Sequence, residues 1–297
     1  MREESKFKCG VIGVGKLGSV LVQALSRKGA LNWIIEKSHK AVPFINEEIN
    51  TGIKCYSSIN KKIILPDFIF LTVNDSGIED VSDRLADVFG QKLSGKYVIH
   101  CSGVLPVSVL ESCRRAGAKT ACCHPYQTFY EPSPDILNDI SWGVETKDSF
   151  DILEKIINNL GGRALKLSYK NKAEKALYHI SAVFASNFLS TAVTGSELIS
   201  SKASLPWNDF LPKIINTTIG NNLKVTDKIR FPLTGPIARA DLETIRLHVK
   251  TLKKYPSLLN IYCYLSLATL ETAKINKLIT KQKFGEIKEF LVSYLFD

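Results

Sequence analysis

The segment Gly13-Val14-Gly15-Lys16-Leu17-Gly18 lies between a short apolar run and an amphipathic stretch, and it narrows what this chain can fold into more than any other feature. Phe7-Lys8-Cys9-Gly10-Val11-Ile12 before it reads as a buried strand, and Ser19 to Lys28 after it reads as a helix closed by Gly29. Strand, glycine turn and helix together aim a helix N-terminus, with its unpaired N–H groups and positive dipole end, at a place where a pyrophosphate would sit. Gly13 permits the tight turn, Gly15 lets backbone approach phosphate, and Gly18 allows close packing of helix on strand. Gly13, Gly15, Lys16, Leu17 and Gly18 are therefore candidate cofactor contacts. A bare G-x-G-x-x-G also occurs where a strand simply meets a helix, so the weight rests on the flanks and on the early position.

The second strand, Asn32-Trp33-Ile34-Ile35, ends in Glu36-Lys37-Ser38-His39-Lys40, where the adenosine ribose of a dinucleotide is read. Glu36 suits a 2′,3′-diol and repels a 2′-phosphate, whereas Lys37, Ser38 and Lys40 suit that phosphate. Both NADP and NAD stay open, beside the plainer reading of a solvated charged loop.

At 297 residues the chain is long for one doubly wound unit and fits a nucleotide domain plus a second domain with its own core. Hydrophobic content of 45% and charged content of 23% are ordinary for a globular protein. No run of about 18 uncharged apolar residues suggests a membrane span. The N-terminus enters the first strand without an apolar signal region, so a cytoplasmic protein is expected. Seven cysteines, an odd number without regular spacing, fit free thiols better than a disulfide framework. The net charge of +10 is spread along the chain and not gathered into an aromatic-interleaved patch, so no nucleic-acid partner is expected.

Further strands are expected at Asp67 to Val73, at Tyr97-Val98-Ile99 and at Ala118 to Cys123, with helices at Ile78 to Phe89 and Val107 to Ala116 between them. Trp142 to Glu145 and Ala164 to Leu167 read as late strands flanking a helix from Asp151 to Leu160. The alternation implies an α/β fold, a Rossmann doubly wound parallel sheet, in which ligands meet the carboxyl ends of strands. Val73 and Asn74 after the third apolar strand, and Ser102 after the next, are placed to contact cofactor. Beyond Tyr169 helical periodicity takes over, giving a dinucleotide-binding domain over 1–168 and an all-helical substrate or dimerisation domain over 169–297.

On the first long helix of that second region, about Lys172 to Ile199, the residues His179, Ser186, Asn187, Ser190, Thr194 and Glu197 fall on one stripe at about 100° per residue. The stripe would either line a cleft facing a nicotinamide or pack closely against another helix, with its serines bonding back to the preceding turn.

Four motifs now stand in order: His100-Cys101-Ser102-Gly103, His124-Pro125-Tyr126-Gln127-Thr128-Phe129, Leu177-Tyr178-His179 with Ala182 to Asn187, and Leu233-Thr234-Gly235-Pro236-Ile237-Ala238-Arg239-Ala240-Asp241. In this order the chain resembles an uncharacterised family of Rossmann-like oxidoreductases with a helical C-terminal domain of unknown function. It is more distantly similar to β-hydroxyacid dehydrogenases, pyrroline-carboxylate reductases and deazaflavin-dependent NADP reductases. The resemblance implies a nicotinamide cofactor on the first domain, a small-molecule substrate against the second, and a homodimer paired through the helical region. In the related dehydrogenases a lysine on the first long interdomain helix is the general acid, and no lysine lies between His179 and Glu197 here. Ala240 stands where the family usually has glycine.

A reductase of this kind needs a hydride from the nicotinamide, a proton donor and a substrate clamp. His179 is the expected donor, against the alternative of a structural histidine, and Asn187 would orient the substrate or the nicotinamide amide. Ser102, Gly103, His124 and Thr128 are candidate substrate contacts, with His100 at the preceding strand end. Arg239 offers a fork for a carboxylate, unless Asp241 pairs with it or caps the next helix. The mixture of histidines and Cys101, Cys122 and Cys123 matches no zinc spacing, so no metal is expected. The function these residues support is an NAD(P)-dependent oxidoreductase acting on a small, anionic carbonyl or imine compound. The alternative is a non-catalytic dinucleotide-binding or regulatory protein on the same fold.

Overall fold

The computed structural model describes residues 7–37, 53–148, 150–224 and 231–295. Eight strands form one sheet: β1 Cys9–Ile12, β2 Leu31–Ile35, β3 Lys54–Tyr56, β4 Phe68–Leu71, β5 Tyr97–His100, β6 Lys119–Pro125, β7 Ser141–Thr146 and β8 Arg163–Lys166. Their order is β3-β2-β1-β4-β5-β6-β7-β8. Every neighbouring pair is parallel except β6 and β7. The chain winds outward from β1 in both directions, so the carboxyl ends of β1 and β4 flank the topological switch point.

Side chains alternate across this sheet as a doubly covered strand requires. Cys9, Val11, Phe68 and Phe70 enter the core on one face with α1 (Lys16–Arg27) and α4 (Phe150–Asn159). Ile12, Ile69 and Leu71 enter the other with α2 (Ile78–Phe89) and the short α3 (Glu111–Arg115). One strand was not legible in the sequence, nor was the direction of another. Edge strand β3 carries Lys54 and Cys55 exposed and has no apolar run to announce it. β7 runs antiparallel because the connection from β6 carries no crossover helix, only a single 3₁₀ turn at Pro134–Leu137.

The helical region begins with α5 (Lys172–Val183), followed by a π-helical turn at Phe184–Phe188 and α6 (Leu189–Lys202). Together they form a helical run from Lys172 to Lys202 whose most apolar 18-residue window has a mean hydropathy of 1.2. By length and composition alone that run is able to cross a membrane, although it holds no stretch of about 18 unbroken apolar residues. Serines, threonines and Asn187 interrupt its apolar side chains, which is why reading for unbroken apolar residues passed over it. The π turn also revises the stripe, because i→i+5 winding turns each residue by less than 100° and shifts everything after Phe188 out of phase with His179.

The chain divides into two compact units, Met1–Phe184 and Ala185–Asp297. The change of periodicity near residue 168 marks the last strand, whereas the units divide later, inside the helical run. The second unit continues with α7 (Trp207–Leu223), α8 (Leu242–Leu252), α9 (Pro256–Ile275) and α10 (Lys281–Val292). Its core gathers Ile245, Val249, Leu259, Cys263, Leu270, Ile287 and Leu291. Asp241 caps α8 by accepting from the Thr244 amide and hydroxyl. Ala240, beside it, holds φ 54°, the left-handed region that favours glycine.

Candidate functional site

The glycine loop fits a pyrophosphate on three counts. Gly13 has φ +91°, and a Cβ there would lie 2.7 Å from Val73 Cγ1. A Cβ on Gly18 would lie 2.1 Å from the Gly13 carbonyl oxygen, so only glycine lets α1 sit this close to β1. A Cβ on Gly15, by contrast, would meet nothing within 4 Å, which leaves open space above the loop. Gly15 is the N-cap of α1 without a side-chain cap, and the first intrahelical bond runs from the Ser19 amide to the Gly15 carbonyl. Lys16, Leu17 and Gly18 therefore present first-turn amides with no intrahelical acceptor. The Lys16 ammonium lies over the Tyr130 ring at 5.0 Å.

This loop borders a cavity of about 610 Å³ at the switch point, lined by Gly13, Val14, Gly15, Glu36, Lys37, Val73 and Asn74 among others. The expected cofactor residues at the ends of β1, β2 and β4 are thus brought together. Ser38 lies outside the described residues. Ser57 and Ser58, which follow β3, and Arg84 on α2 join the wall, and the two serines were not legible because β3 carries no apolar run to place them. Glu36 Oε2 accepts from the Val14 amide at 2.6 Å, so its carboxylate ties the end of β2 to the glycine loop.

A second constellation stands at the ends of β5 and β6. His100 is fully buried, with Nδ1 accepting from the Ser102 amide at 3.3 Å, and burial pushes its pKa down to about 3, with Lys175 adding to the effect. Ser102 is buried and turns its hydroxyl to the Val104 and Leu105 amides, so it shapes the loop. Gly103 is walled by two imidazoles: a Cβ there would lie 2.6 Å from His179 Cδ2 and 2.9 Å from His124 Nε2. The two rings are 6.2 Å apart. Burial, His179 and Lys175 together push the His124 pKa down to about 4, leaving the ring neutral.

Several residues of this constellation were missed in the sequence. Lys175, one turn before His179, is 2% exposed and places Nζ 2.7 Å from Glu145 Oε2 on β7. Tyr178 hydrogen-bonds His124 Nδ1 at 3.0 Å, and the Tyr126 hydroxyl pairs with Ser181 Oγ at 2.6 Å. For Lys175 the available signal was its spacing from His179, since residues four apart share a helix face, whereas Tyr178 and Tyr126 carried no such signal. Thr128 is exposed, and its amide donates to the Gln127 side chain. Asn187, in the π turn, and the exposed Arg239 belong to the second unit.

The parallel sheet, its switch-point cavity and its glycine loop define a Rossmann-like domain followed by a helical one. Residues 2–125 match the model of a Rossmann-like domain, and residues 140–269 match a domain of unknown function (DUF2520), so the chain joins these two domains. No curated protein sequence matches it significantly. Among solved structures it is similar to a Bacteroides fragilis protein described as a candidate NADP oxidoreductase. That pair has 20% identity and TM-score 0.70, covering 89% of this chain and 98% of that one. It is also similar to an Aspergillus terreus reductive aminase in complex with NADPH and ethyl levulinate (11%, TM-score 0.58, 97% and 93% covered). A Plasmodium falciparum pyrroline carboxylate reductase with NADP bound is a third (16%, TM-score 0.55, 93% and 99% covered).

Proposed function

We propose that this protein is an NAD(P)-dependent oxidoreductase that reduces a small, anionic carbonyl or imine compound. The observation that carries this reading is the glycine cradle at the switch-point cavity, open above Gly15, on the same sheet as His124, which meets His179 of α5 around Gly103. The amides of Lys16, Leu17 and Gly18 would hold the pyrophosphate, and Val73 and Asn74 would flank the chain of the cofactor as it crosses from β1 to β4. The bound nicotinamide would supply hydride. His179, beside Gly103, supplies the proton, and His124 donates a hydrogen bond to the developing charge. The solved relatives with NADP or NADPH bound lend the cofactor support at the level of fold.

A catalytically silent dinucleotide-binding protein is the second reading, and Lys175 favours it. The one lysine near His179 on this helix is held in a buried ion pair with Glu145 and is not presented as a proton donor.

A homodimer formed through the second unit belongs to the same proposal. α7 buries none of its residues, and Phe210, Ile214 and Leu223 stand 41%, 62% and 81% exposed. Leu189, Leu198 and Ile199 on α6 are exposed as well. A second copy covering them satisfies apolar surface that water would not. Seven free thiols suit a reducing cytoplasm.

Isothermal titration of the folded protein with NADPH and NADH tests the cofactor: saturable binding of at least one is expected, and no heat from either overturns the reading.

A further inference from the structure

His124 and Gly143 face each other across β6 and β7. Gly143 does not have the positive φ that would call for glycine, so its identity answers to space. A Cβ there would lie 2.6 Å from the Tyr178 hydroxyl oxygen and 3.1 Å from Tyr178 Cζ. The missing side chain is a socket into which α5 lowers the Tyr178 phenol, beside Tyr126 at 5.1 Å and Tyr169 at 5.9 Å between ring centres. In that socket the phenol stands edge-on to the His124 ring, at 5.5 Å and 80°, and its oxygen is 3.0 Å from Nδ1. At the opposite edge of the ring, Nε2 faces Gly103, where a Cβ would collide with the imidazole itself. Gly143 thus admits the phenol and Gly103 the imidazole, with Nδ1 on the phenol and Nε2 toward the space shared with His179.

Resting on the reductase reading above, we propose that Tyr178 is a positioning residue that donates its hydroxyl proton to His124 Nδ1, fixing the ring as the neutral Nε2–H tautomer whose N–H is offered to a carbonyl or carboxylate oxygen of the substrate. The direction of the bond follows from chemistry. Phenols are better donors than acceptors, and burial raises the Tyr178 pKa, keeping the hydroxyl protonated. With Nδ1 occupied as acceptor, the ring proton has only Nε2 left. A neutral imidazole N–H stabilises developing negative charge without giving up its proton, leaving His179 to deliver one.

Long-range ¹H–¹⁵N correlation spectra of the ¹⁵N-histidine-labelled full-length protein read the tautomer directly, with no cofactor or substrate present. The chain has five histidines, and His124→Gln assigns the signal. A protonated Nε2 and an unprotonated Nδ1 are expected for His124 near neutral pH. Tyr178→Phe keeps the ring in the socket and should convert this signal to a mixture with at least a tenth of the Nδ1–H form. Gly143→Ala, which retains the hydroxyl but pushes it out, should do the same. An Nδ1–H signal in the wild type, or a pattern unchanged in both folded variants, overturns the proposal. Titration of Tyr178→Phe with NADPH separates the two readings, because its affinity should stay within twofold of wild type. Loss of cofactor binding in the wild type would defeat the reductase reading and leave the tautomer result standing.

Discussion

Gly15→Ala separates folding from cofactor binding more cleanly than any other single change in the loop. The methyl group it adds meets no atom within 4 Å, and Gly15 has φ −73°, an ordinary value for alanine. The folded state therefore gains no clash, and the unfolded chain loses some freedom, so stability should hold or rise by about 0.5 kcal/mol. The space the methyl enters is the one a pyrophosphate would use to reach the amides of α1. Displacing a charge-assisted contact costs about 1.5–3 kcal/mol, which is roughly a 10- to 150-fold loss in affinity. Thermal melting and calorimetry with NADPH, run on the same samples, read both quantities. A variant that melts like wild type and binds NADPH equally well would refute the placement of the pyrophosphate. Gly18→Ala is the counterpart: its methyl meets the Gly13 carbonyl oxygen, and the overpacking cost of about 1–3 kcal/mol should outweigh the gain of about 1 kcal/mol in helix propensity, lowering the melting temperature.

Once a substrate is found, His179→Ala should lower turnover about a hundredfold with cofactor affinity near wild type, and unchanged turnover would move the donor elsewhere. Ala240→Gly should stabilise the protein by up to about 1 kcal/mol in chemical denaturation, because it removes the side chain from a left-handed backbone, and destabilisation would contradict that account. Stability should fall in mild acid. His100 and His124 are held neutral with pKa values near 3 and 4, so below about pH 6.5 the unfolded chain binds protons that the native state refuses. Each should cost roughly 2 kcal/mol by pH 5, and His124→Gln should flatten its share of the decline in urea midpoints. Light scattering should return twice the chain mass at micromolar concentration, and a strictly monomeric species would leave the apolar surface of α6 and α7 without the proposed partner.

The sheet was legible because its strands announce themselves locally. Phe68-Ile69-Phe70-Leu71 and the glycine loop need no tertiary context to be read, and the helix Ile78–Phe89 stands where its pattern and closing glycine put it. β3 was not legible because an edge strand buries little and so carries no apolar signature. The helical stripe misled by its geometry, since a π turn cannot be seen in residue spacing that assumes uniform winding. The histidine constellation was half visible. His124 and His179 stood out as titratable residues, but Tyr178, Lys175 and Gly143 acquire meaning only through long-range neighbours: a phenol over a missing side chain, and an ammonium on a carboxylate thirty residues away.

A structure determined with NADPH or NADH bound tests the central claim most directly. The account predicts the pyrophosphate against the amides of Lys16, Leu17 and Gly18, the adenosine toward Glu36 and Lys37, and the nicotinamide carried past Val73 and Asn74 toward Gly103 and His124. A cofactor found outside the switch-point cavity, or one with its nicotinamide at the Glu36 end, would contradict it.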